Sequence, residues 1–351
     1  MTRKIKMEDL QNVFFAITNI CNCKCLTCDV GARKRGESPD SFFLENLNFG
    51  VKEYASTELM QRIFEQLREV APQLYITGGE PLISPRFNRF LEIFQDYHGR
   101  IVLVTNGAFL QKYAANIANS SIASVNVSLD GLQNTHDTIR GVSGLYERVI
   151  EGVTDLRNRQ RKNEIAQELN LNFTISISNY FEIYDFVARA HELDVDRIDF
   201  LHPQYVSPRM AEIHNDRYPK MRVGTRMYNG AETYNVPLDD LLRIMDRTKK
   251  YFGSFVAFFP DLTPEQMKIY YGDELGFPFE KVCSAPFKGF EIIQNGDYII
   301  GTPCIPYKLG NIMQDSLEDI WLGVPIEQFR STLIQEKRFP ICAKCCAYYY
   351  E

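Results

Sequence analysis

The sequence predicts an α/β protein made of a partial (β/α)6 barrel and a small C-terminal α+β module. Short apolar runs alternate with longer segments of helical period, which is typical of parallel βα units. Each run ends in a polar or glycine-rich stretch, and near the C terminus two alternating segments flank an Asn-Gly turn. Six units are fewer than the eight of a closed barrel, so we expect an open one.

The predicted barrel strands lie within the first 201 residues. They are Val13–Thr18, Leu74–Thr77, Ile101–Thr105, Ser124–Leu129, Leu171–Ser176 and Arg197–Leu201. Helices are predicted over "STELMQRIFEQLREV", "SPRFNRFLEIFQDY", "FLQKYAANIANS", "YERVIEGVTDLRNRQRKN" and "YFEIYDFVARAHEL", the first capped by Ser56 or Thr57. Because loops at the carboxyl ends of parallel strands meet at one mouth, the segments "TNICNCKC", "TGGEP", "TNGAF", "SLDGL", "SISNY" and "LHPQY" should converge.

The sequence divides into three predicted regions. We expect a barrel core over 1–205, a connector over 206–280 that lines or covers the cavity, and a module over 281–351. The connector is aromatic and contains one clear helix, "PLDDLLRIMDRTKKYF"; its neighbouring His202 and His214 are expected to be structural. The module is expected to be separate, with a hairpin over "GFEIIQNGDYIIGTPC" and two helices after it.

The overall charge argues against a nucleic-acid partner, because the net charge is −6 and the isoelectric point is near 5.6. The basic stretch "ARKRGE" could meet a phosphate, but we expect a solvated loop there. No run is long and apolar enough for a membrane span, and "MTRKIKMEDLQ" lacks the features of a signal peptide, so we expect a cytoplasmic protein.

Nine cysteines in a reducing compartment point to metal ligands, catalytic thiols or buried apolar residues rather than disulfides. Four of them lie in "CNCKCLTC", residues 21–28, and five lie at 283–346. The spacing Cys21-x3-Cys25-x2-Cys28 suits a four-iron cluster that lacks a fourth protein ligand. A zinc site is the alternative, although its cysteine pairs usually come two at a time with a spacer.

The cysteine spacing and the other strand ends together resemble the radical S-adenosylmethionine (SAM) superfamily. Its pattern is C-x3-C-x2-C after the first strand of a partial (β/α)6 barrel, followed by "GGEP", "TNG" and "SLDG" at later strand ends. The resemblance runs from about Phe14 to Leu201. It implies a [4Fe-4S] cluster held by Cys21, Cys25 and Cys28, with the open iron bound by SAM, and it leaves Cys23 without a ligand role.

The resemblance also implies which residues contact SAM. The expected contacts are Gly78, Gly79, Glu80 and Pro81 in "GGEP", Asn106 in "TNG", Ser128 and Asp130 in "SLDG", and Arg140 in "HDTIRG". Glu80 is expected to order its loop, and the guanidinium fork of Arg140 to bind the SAM carboxylate. The sequence departs from the family at Thr27, where an aromatic residue usually stacks near adenine, so the adenine contact must lie elsewhere.

The C-terminal cysteines resemble the twitch module, a short relative of the SPASM domain. The resemblance implies one auxiliary [4Fe-4S] cluster with Cys283, Cys304, Cys342 and Cys345 as ligands. Cys346 could replace Cys345, remain a free thiol or donate a hydrogen atom, and we expect a bystander. The chain ends at Glu351, before the further cysteines of a full SPASM domain, and four ligands favour electron transfer. A zinc ribbon is the alternative.

The resemblance implies a radical SAM oxidoreductase or maturase that cleaves SAM reductively to a 5′-deoxyadenosyl radical. No catalytic residue beyond the cluster ligands is assigned. The expected substrate is a peptide or protein that is crosslinked or epimerised, and any leader peptide would be held by the barrel or a partner because only 20 residues precede Cys21. The alternatives are oxidation or epimerisation of a sugar, an aminocyclitol or another small molecule and, more remotely, a non-catalytic zinc-binding module. A flavodoxin or ferredoxin is the expected electron donor.

Overall fold

A computed structural model describes residues 5–36, 51, 53–226, 234–300, 305 and 307–349. Its ten strands form one sheet with the order β10-β9-β8-β1-β2-β3-β4-β5-β6-β7. The strands are β1 Asn12–Ala16, β2 Gln73–Thr77, β3 Ile101–Thr105, β4 Ile122–Ser128, β5 Glu168–Thr174, β6 Arg197–Leu201, β7 Val256–Phe259, β8 Gly289–Ile292, β9 Asp297–Ile299 and β10 Lys308–Asn311. Neighbours from β8 through β1 to β7 are parallel, whereas β8-β9 and β9-β10 are antiparallel.

The helices described in the chain cover one face of this sheet and form the C-terminal module. They span Asp29–Lys34, Thr57–Leu67, Phe87–Ile93, Leu110–Ala118, Gln133–Arg140, Leu145–Lys162, Ile183–Ala190, Pro208–Arg217, Leu238–Phe252, Pro264–Gly272, Leu317–Trp321, Val324–Glu336 and Cys346–Tyr349. In this part of the chain, none of them is both long and apolar enough to cross a bilayer.

The helix Thr57–Leu67 illustrates how the sequence specifies these elements. Ser56 caps it, because its hydroxyl oxygen accepts a hydrogen bond from the Leu59 amide at 3.1 Å. The apolar residues recur every three or four positions, so Leu59, Ile63 and Leu67 face the core together and are buried.

The two faces of the sheet differ in burial. In β1, Val13 and Phe15 are completely buried, whereas Phe14 between them keeps 40% of its surface exposed. Side chains alternate between the faces of a strand, so one face packs against helices and the other is open. This confirms the predicted α/β class and partial barrel, with all six predicted parallel strands present.

The prediction for the connector was incomplete. Besides the expected helix Leu238–Phe252, the connector contains the helices Pro208–Arg217 and Pro264–Gly272 and the strand β7, which pairs with β6. The barrel sheet therefore has a seventh parallel strand, formed by the apolar run "VAFF".

The predicted hairpin exists, but it is not detached from the barrel. Its first strand, β8, lies parallel to β1 with Phe290 opposite Val13, so the hairpin continues the barrel sheet. Farther along, the Trp321 indole donates a hydrogen bond to the Lys6 carbonyl at 2.9 Å, and Arg330 stacks on the same indole with 4.2 Å to the ring centroid. The module boundaries over 281–351 stay a prediction.

Candidate active site and auxiliary metal centre

The first cysteine loop follows β1 at the carboxyl edge of the parallel strands. Two backbone hydrogen bonds attach the loop to the end of the helix Gln133–Arg140: the Lys24 amide donates to the Arg140 carbonyl and the Leu26 amide to the Ile139 carbonyl, both at 2.9 Å. Cys25, which lies between these two anchors, is therefore held next to Arg140.

The four thiols of this loop differ in how they hold their protons. Hydrogen bonds with Cys21 and Cys25 raise the pKa of Cys23 far above its usual range, and the Cys23 hydrogen bond lowers the pKa of Cys21. The hydrogen bond between Cys23 and Cys25 outweighs burial and, with the charge of Arg140, lowers the pKa of Cys25 to about 6. Burial raises the pKa of Cys28 to about 12. Cys23 thus lies between Cys21 and Cys25 and hydrogen bonds with both, and its exclusion from the ligand set stays a prediction.

The "GGEP" loop after β2 lies directly against the segment that leads into Cys21. The Gly79 amide donates to the Thr18 carbonyl at 2.6 Å, and the Glu80 amide donates to the Ile20 carbonyl at 2.8 Å. A Cβ on Gly79 would lie 2.1 Å from the Ile20 carbonyl oxygen, so only glycine permits this approach. Pro81 begins a buried 3-10 turn that ends at Ile83.

The Glu80 carboxylate joins the second and third strand ends. It is buried and accepts hydrogen bonds from the Leu82 amide at 3.0 Å, the Thr105 hydroxyl at 2.6 Å and the Asn106 amide at 2.7 Å. Burial raises its pKa, and these three bonds oppose that effect. Glu80 therefore links its own loop to the end of β3.

Asn106 extends this network to the cysteine loop. Its side-chain amide donates to the Asn22 side-chain oxygen at 2.9 Å and lies 3.6 Å from the Cys21 sulfur. The third strand end and the first cysteine are thus in direct contact.

Asp130 and Arg140 form an ion pair beside Cys25. Their Oδ2 and Nε atoms are 2.6 Å apart, and the Arg140 Nη1 atom is 3.8 Å from the Cys25 sulfur. Both side chains are largely buried, and the carboxylate raises the pKa of Arg140 despite the burial. The prediction that Arg140 binds the SAM carboxylate stays a prediction.

A second layer of polar residues, which sequence reasoning did not identify, holds Asp130 in place. Its backbone amide donates to Nδ1 of buried His136 at 3.0 Å, and Asn179 donates to its carbonyl at 3.0 Å. Burial lowers the pKa of His136 to about 2, so this imidazole is a neutral acceptor. Asn179 lies in the strand end "SISNY", which was the available signal. Ser128 is the last residue of β4 and pairs in register with Asn172.

The connector contacts the residue that directly follows the first cysteine loop. Arg226 is paired with Asp29, with 3.4 Å between Nε and Oδ2, and the rings of Tyr205 and Tyr234 stack at 5.0 Å between centroids. Burial, followed by the charge of Asp29, raises the pKa of Tyr234. That the connector lines or covers the cavity stays a prediction.

His202, which follows β6, and His214, which lies in the helix Pro208–Arg217, are both buried. His202 shares a hydrogen bond of 2.7 Å between its Nδ1 atom and the Tyr271 hydroxyl, and His214 shares one of 2.8 Å between Nε2 and the Met221 carbonyl. Burial lowers both pKa values, that of His202 to about 3. Both residues therefore pack as neutral side chains.

The second group of cysteines is buried in the C-terminal module. Cys283, Cys342 and Cys345 each expose less than a tenth of their surface, and Cys304 lies outside the described residues. Burial raises the pKa of Cys283 to about 12, and the charge of Cys345 adds to the effect. Burial and the charges of both partners likewise raise the pKa of Cys342 well above its usual range. The fold thus groups three of the four predicted auxiliary ligands.

Cys346 lies next to this group and faces the barrel. Burial raises its pKa, the charge of Cys345 adds to this, and a hydrogen bond with Gln204, just beyond β6, opposes it. The choice between Cys345 and Cys346 as the ligand stays a prediction.

Lys344, between the cysteines of "CAKCC", anchors this turn to the connector. Its ammonium group is buried, lies 4.6 Å from the Tyr270 ring centroid, and donates to the Tyr270 carbonyl at 2.5 Å and the Asp273 carbonyl at 2.7 Å. These carbonyls close the helix Pro264–Gly272, where a cation is favourable.

Replacing Lys344 with methionine should destabilise the protein by about 1–3 kcal/mol, because the buried Tyr270 carbonyl and the partly buried Asp273 carbonyl lose their donor. Lys268→Met is the matched control, since Lys268 is exposed on the helix Pro264–Gly272 to which Lys344 is anchored. This control should change stability by less than about 0.5 kcal/mol. Urea unfolding of the full chain measures both. Equal unfolding free energies for the two variants would contradict the anchoring role.

The donor sets fit iron-sulfur clusters. Within the described ranges, no three Cys, His, Asp or Glu side chains are grouped to hold a single metal ion. In a cubane each thiolate binds its own iron, so the sulfurs need not meet at one ion. Around the first loop, two thiols with lowered pKa values, the nearby Arg140 cation and the Asn106 amide are features that suit an anionic cluster.

Comparisons with known protein families agree with this arrangement. The model of the radical SAM superfamily matches residues 15–187, and the SPASM family, an iron-sulfur cluster-binding domain, matches residues 283–346. The chain therefore belongs to the radical SAM superfamily and carries a C-terminal SPASM-type module.

Curated relatives are similar over part or most of the chain. The chain is 27% identical over 206 residues to the Fe-coproporphyrin III synthase of Methanosarcina barkeri, which covers 58% of this chain and 47% of the relative. It is 26% identical over 323 residues to the pre-heme d1 synthase of Dinoroseobacter shibae, which covers 89% and 73%. The chain thus spans about half the length of the first relative.

Solved structures share the fold. The crystal structure of Streptococcus suis SuiB bound to S-adenosylmethionine aligns with a TM-score of 0.63 at 18% identity, covering 92% of this chain and 68% of SuiB. The structure of anSMEcpe with bound AdoMet and the Cp18Cys peptide aligns with a TM-score of 0.61 at 14% identity, covering 95% and 87%. At these identities the likeness establishes the shared architecture alone.

Proposed function

We propose that the protein binds a [4Fe-4S] cluster through Cys21, Cys25 and Cys28 and uses it with SAM to start radical chemistry on a substrate C–H bond. The observation that carries this proposal is the convergence of the cysteine loop, the Glu80 network and the Asp130–Arg140 pair at one edge of the sheet. When bound, the cluster and SAM supply reductive cleavage of a carbon–sulfur bond, giving methionine and a 5′-deoxyadenosyl radical.

The protein's own residues would place and shield these groups. Cys21, Cys25 and Cys28 hold three irons and leave one for the amino and carboxylate groups of SAM. Gly78, Gly79 and Pro81 shape the loop beside the SAM methionine, Glu80 keeps that loop in place, and Asn106 and Ser128 offer polar groups at neighbouring strand ends. Arg140 is the candidate for the SAM carboxylate, with Asp130 orienting its guanidinium. A largely buried site limits water, which protects a reactive radical.

The C-terminal module would hold an auxiliary [4Fe-4S] cluster through Cys283, Cys304, Cys342 and Cys345. Four protein ligands leave no iron for the substrate, so this cluster would carry electrons. A flavodoxin or ferredoxin would supply the electron for SAM cleavage.

The substrate we propose is a peptide or protein, modified by crosslinking or epimerisation. Two observations support it: the fold covers 92% of this chain in SuiB, which has been solved with its precursor peptide SuiA, and 95% in anSMEcpe with a bound peptide. The second candidate is a small molecule, and a tetrapyrrole is the class favoured by similarity to pre-heme d1 synthase over 89% of this chain.

Anaerobic reconstitution tests the first part of the proposal. We expect about eight irons per chain, broad absorbance near 400 nm (about the usual position for such clusters), and 5′-deoxyadenosine on addition of dithionite and SAM. A colourless protein with two bound zinc ions would reject the enzyme.

Co-expression with candidate peptides from neighbouring genes tests the substrate. A crosslink lowers the peptide mass, and epimerisation introduces deuterium from heavy water at the changed carbon. Unchanged peptides, together with 5′-deoxyadenosine formation stimulated by coproporphyrin or a related tetrapyrrole, would favour the second candidate.

A further inference from the structure

The basic residues that follow Cys28 were predicted to lie in a solvated loop, and the structure contradicts this prediction. Residues 29–34 form a helix that folds back over the cysteine loop. Gly31 lies so close to this loop that a Cβ there would be 2.2 Å from the Cys25 carbonyl oxygen. The next basic residues are therefore held against the backbone of the predicted cluster ligands.

Lys34 and Arg35, here called the basic pair, bind the carbonyl groups of that backbone. The Lys34 ammonium donates to the Cys21 carbonyl. The Arg35 guanidinium donates to the Cys25 carbonyl and, at 2.9 Å, to the Lys24 carbonyl. Both side chains are half-buried, so solvent screens their charges only in part.

The basic pair and Arg140 contact different atoms of the cysteine loop. Arg140 approaches the Cys25 sulfur, whereas Arg35 holds the Cys25 carbonyl and Lys34 holds the Cys21 carbonyl. Each of these carbonyls belongs to a residue that carries a ligand thiol. Hydrogen bonds to the carbonyls of Cys21 and Cys25 therefore restrict the directions in which the two thiols point. Hydrogen bonds to the residues that carry the ligands orient those ligands and tune a metal site.

We propose that Lys34 and Arg35 are positioning residues for the first cluster and make its reduction easier; this inference rests on the proposed function. Three thiolates outweigh the charge of a [4Fe-4S]²⁺ core and leave the site with one negative charge. One electron from the reductant adds a second negative charge and removes no ligand. A nearby cation stabilises the reduced form more than the oxidised form, so loss of the cation should lower the reduction potential.

The test compares reconstituted wild-type protein with Lys34→Gln, Arg35→Gln, Arg35→Lys and the control Lys24→Gln. Lys24 lies in the same loop with an exposed side chain, so its replacement removes the same charge without removing a carbonyl bond from the basic pair. Iron content is counted, and the EPR signal is followed during a redox titration. The part of the signal that shifts on SAM addition reports the first cluster.

At the potential that half-reduces the wild-type cluster, Arg35→Gln and Lys34→Gln should each lower the ratio of reduced to oxidised cluster by about threefold or more, and Lys24→Gln by less than about twofold. Arg35→Lys should recover most of the ratio. If Arg35→Gln loses iron that Arg35→Lys retains, the positioning role is supported. Full iron and wild-type ratios in both glutamine variants, or an equal shift in Lys24→Gln, would overturn the inference.

The failure of this inference can be distinguished from failure of the proposed function. If wild-type protein binds no iron, or if SAM leaves its EPR signal unchanged, the proposed function fails. If the wild-type protein responds to SAM and the glutamine variants respond identically, only the role of the basic pair fails.

Discussion

Replacing Cys25 with alanine should remove about four of the eight irons expected per chain and abolish formation of 5′-deoxyadenosine. Cys25 is the ligand most deeply embedded in the site, since it contacts Arg140 through its sulfur and Arg35 through its carbonyl. With two remaining thiolates, two of the four irons would lack a protein ligand, and we expect the cluster to fall apart.

Cys23→Ala is the matched control, because it removes a buried thiol from the same loop. Cys23 hydrogen bonds with Cys21 and Cys25, and these two neighbours, not Cys23, are the proposed iron ligands. This variant should therefore keep its iron and at least about half of its SAM cleavage rate, because none of the three proposed thiolate ligands is lost. Iron analysis and chromatography of the nucleoside products measure both variants. Iron loss in Cys23→Ala with retention in Cys25→Ala would reverse the ligand assignment.

The strand ends could be predicted from the sequence because their information is local. A β-branched run followed by "GGEP" or "TNG" specifies both a strand and the loop at its end, and the structure brings Glu80, Asn106 and Cys21 together as the parallel order requires. The strand β7 was missed for a related reason. Its run "VAFF" is short and lies in an aromatic connector, where periodicity alone does not distinguish a strand from packed loop residues.

Pairing between distant segments could not be predicted in the same way. Local sequence indicated the hairpin at 289–304, but the alignment of β8 beside β1 joins residues about 277 positions apart, as in Phe290 opposite Val13. Burial of charge is equally non-local. Lys34, Arg35 and Lys344 have the sequence features of surface residues, and each becomes structural because a carbonyl from another element lies within reach.

Replacing Gly79, the second glycine of the "GGEP" loop, with alanine should impair both stability and SAM cleavage. In Gly79→Ala, the new Cβ would lie 2.1 Å from the Ile20 carbonyl oxygen, and that carbonyl also accepts the Glu80 amide at 2.8 Å. Either the loop or the segment that leads into Cys21 must move. We expect a stability loss of about 1–3 kcal/mol from the steric conflict and SAM cleavage slower by on the order of a hundredfold from misplacement of the site.

Gly272→Ala provides the control, because a Cβ at Gly272 meets no atom within 4 Å. Gly272 is also exposed and is the last residue of the helix Pro264–Gly272. It should change the cleavage rate by less than about twofold and leave stability equal or slightly higher, since alanine favours helix. Thermal unfolding, iron content and the rate of 5′-deoxyadenosine formation separate the effects. If Gly79→Ala cleaved SAM at the wild-type rate, the close approach of "GGEP" to the cysteine segment would not be needed for catalysis, and the loop's role in SAM binding would have to be reassigned.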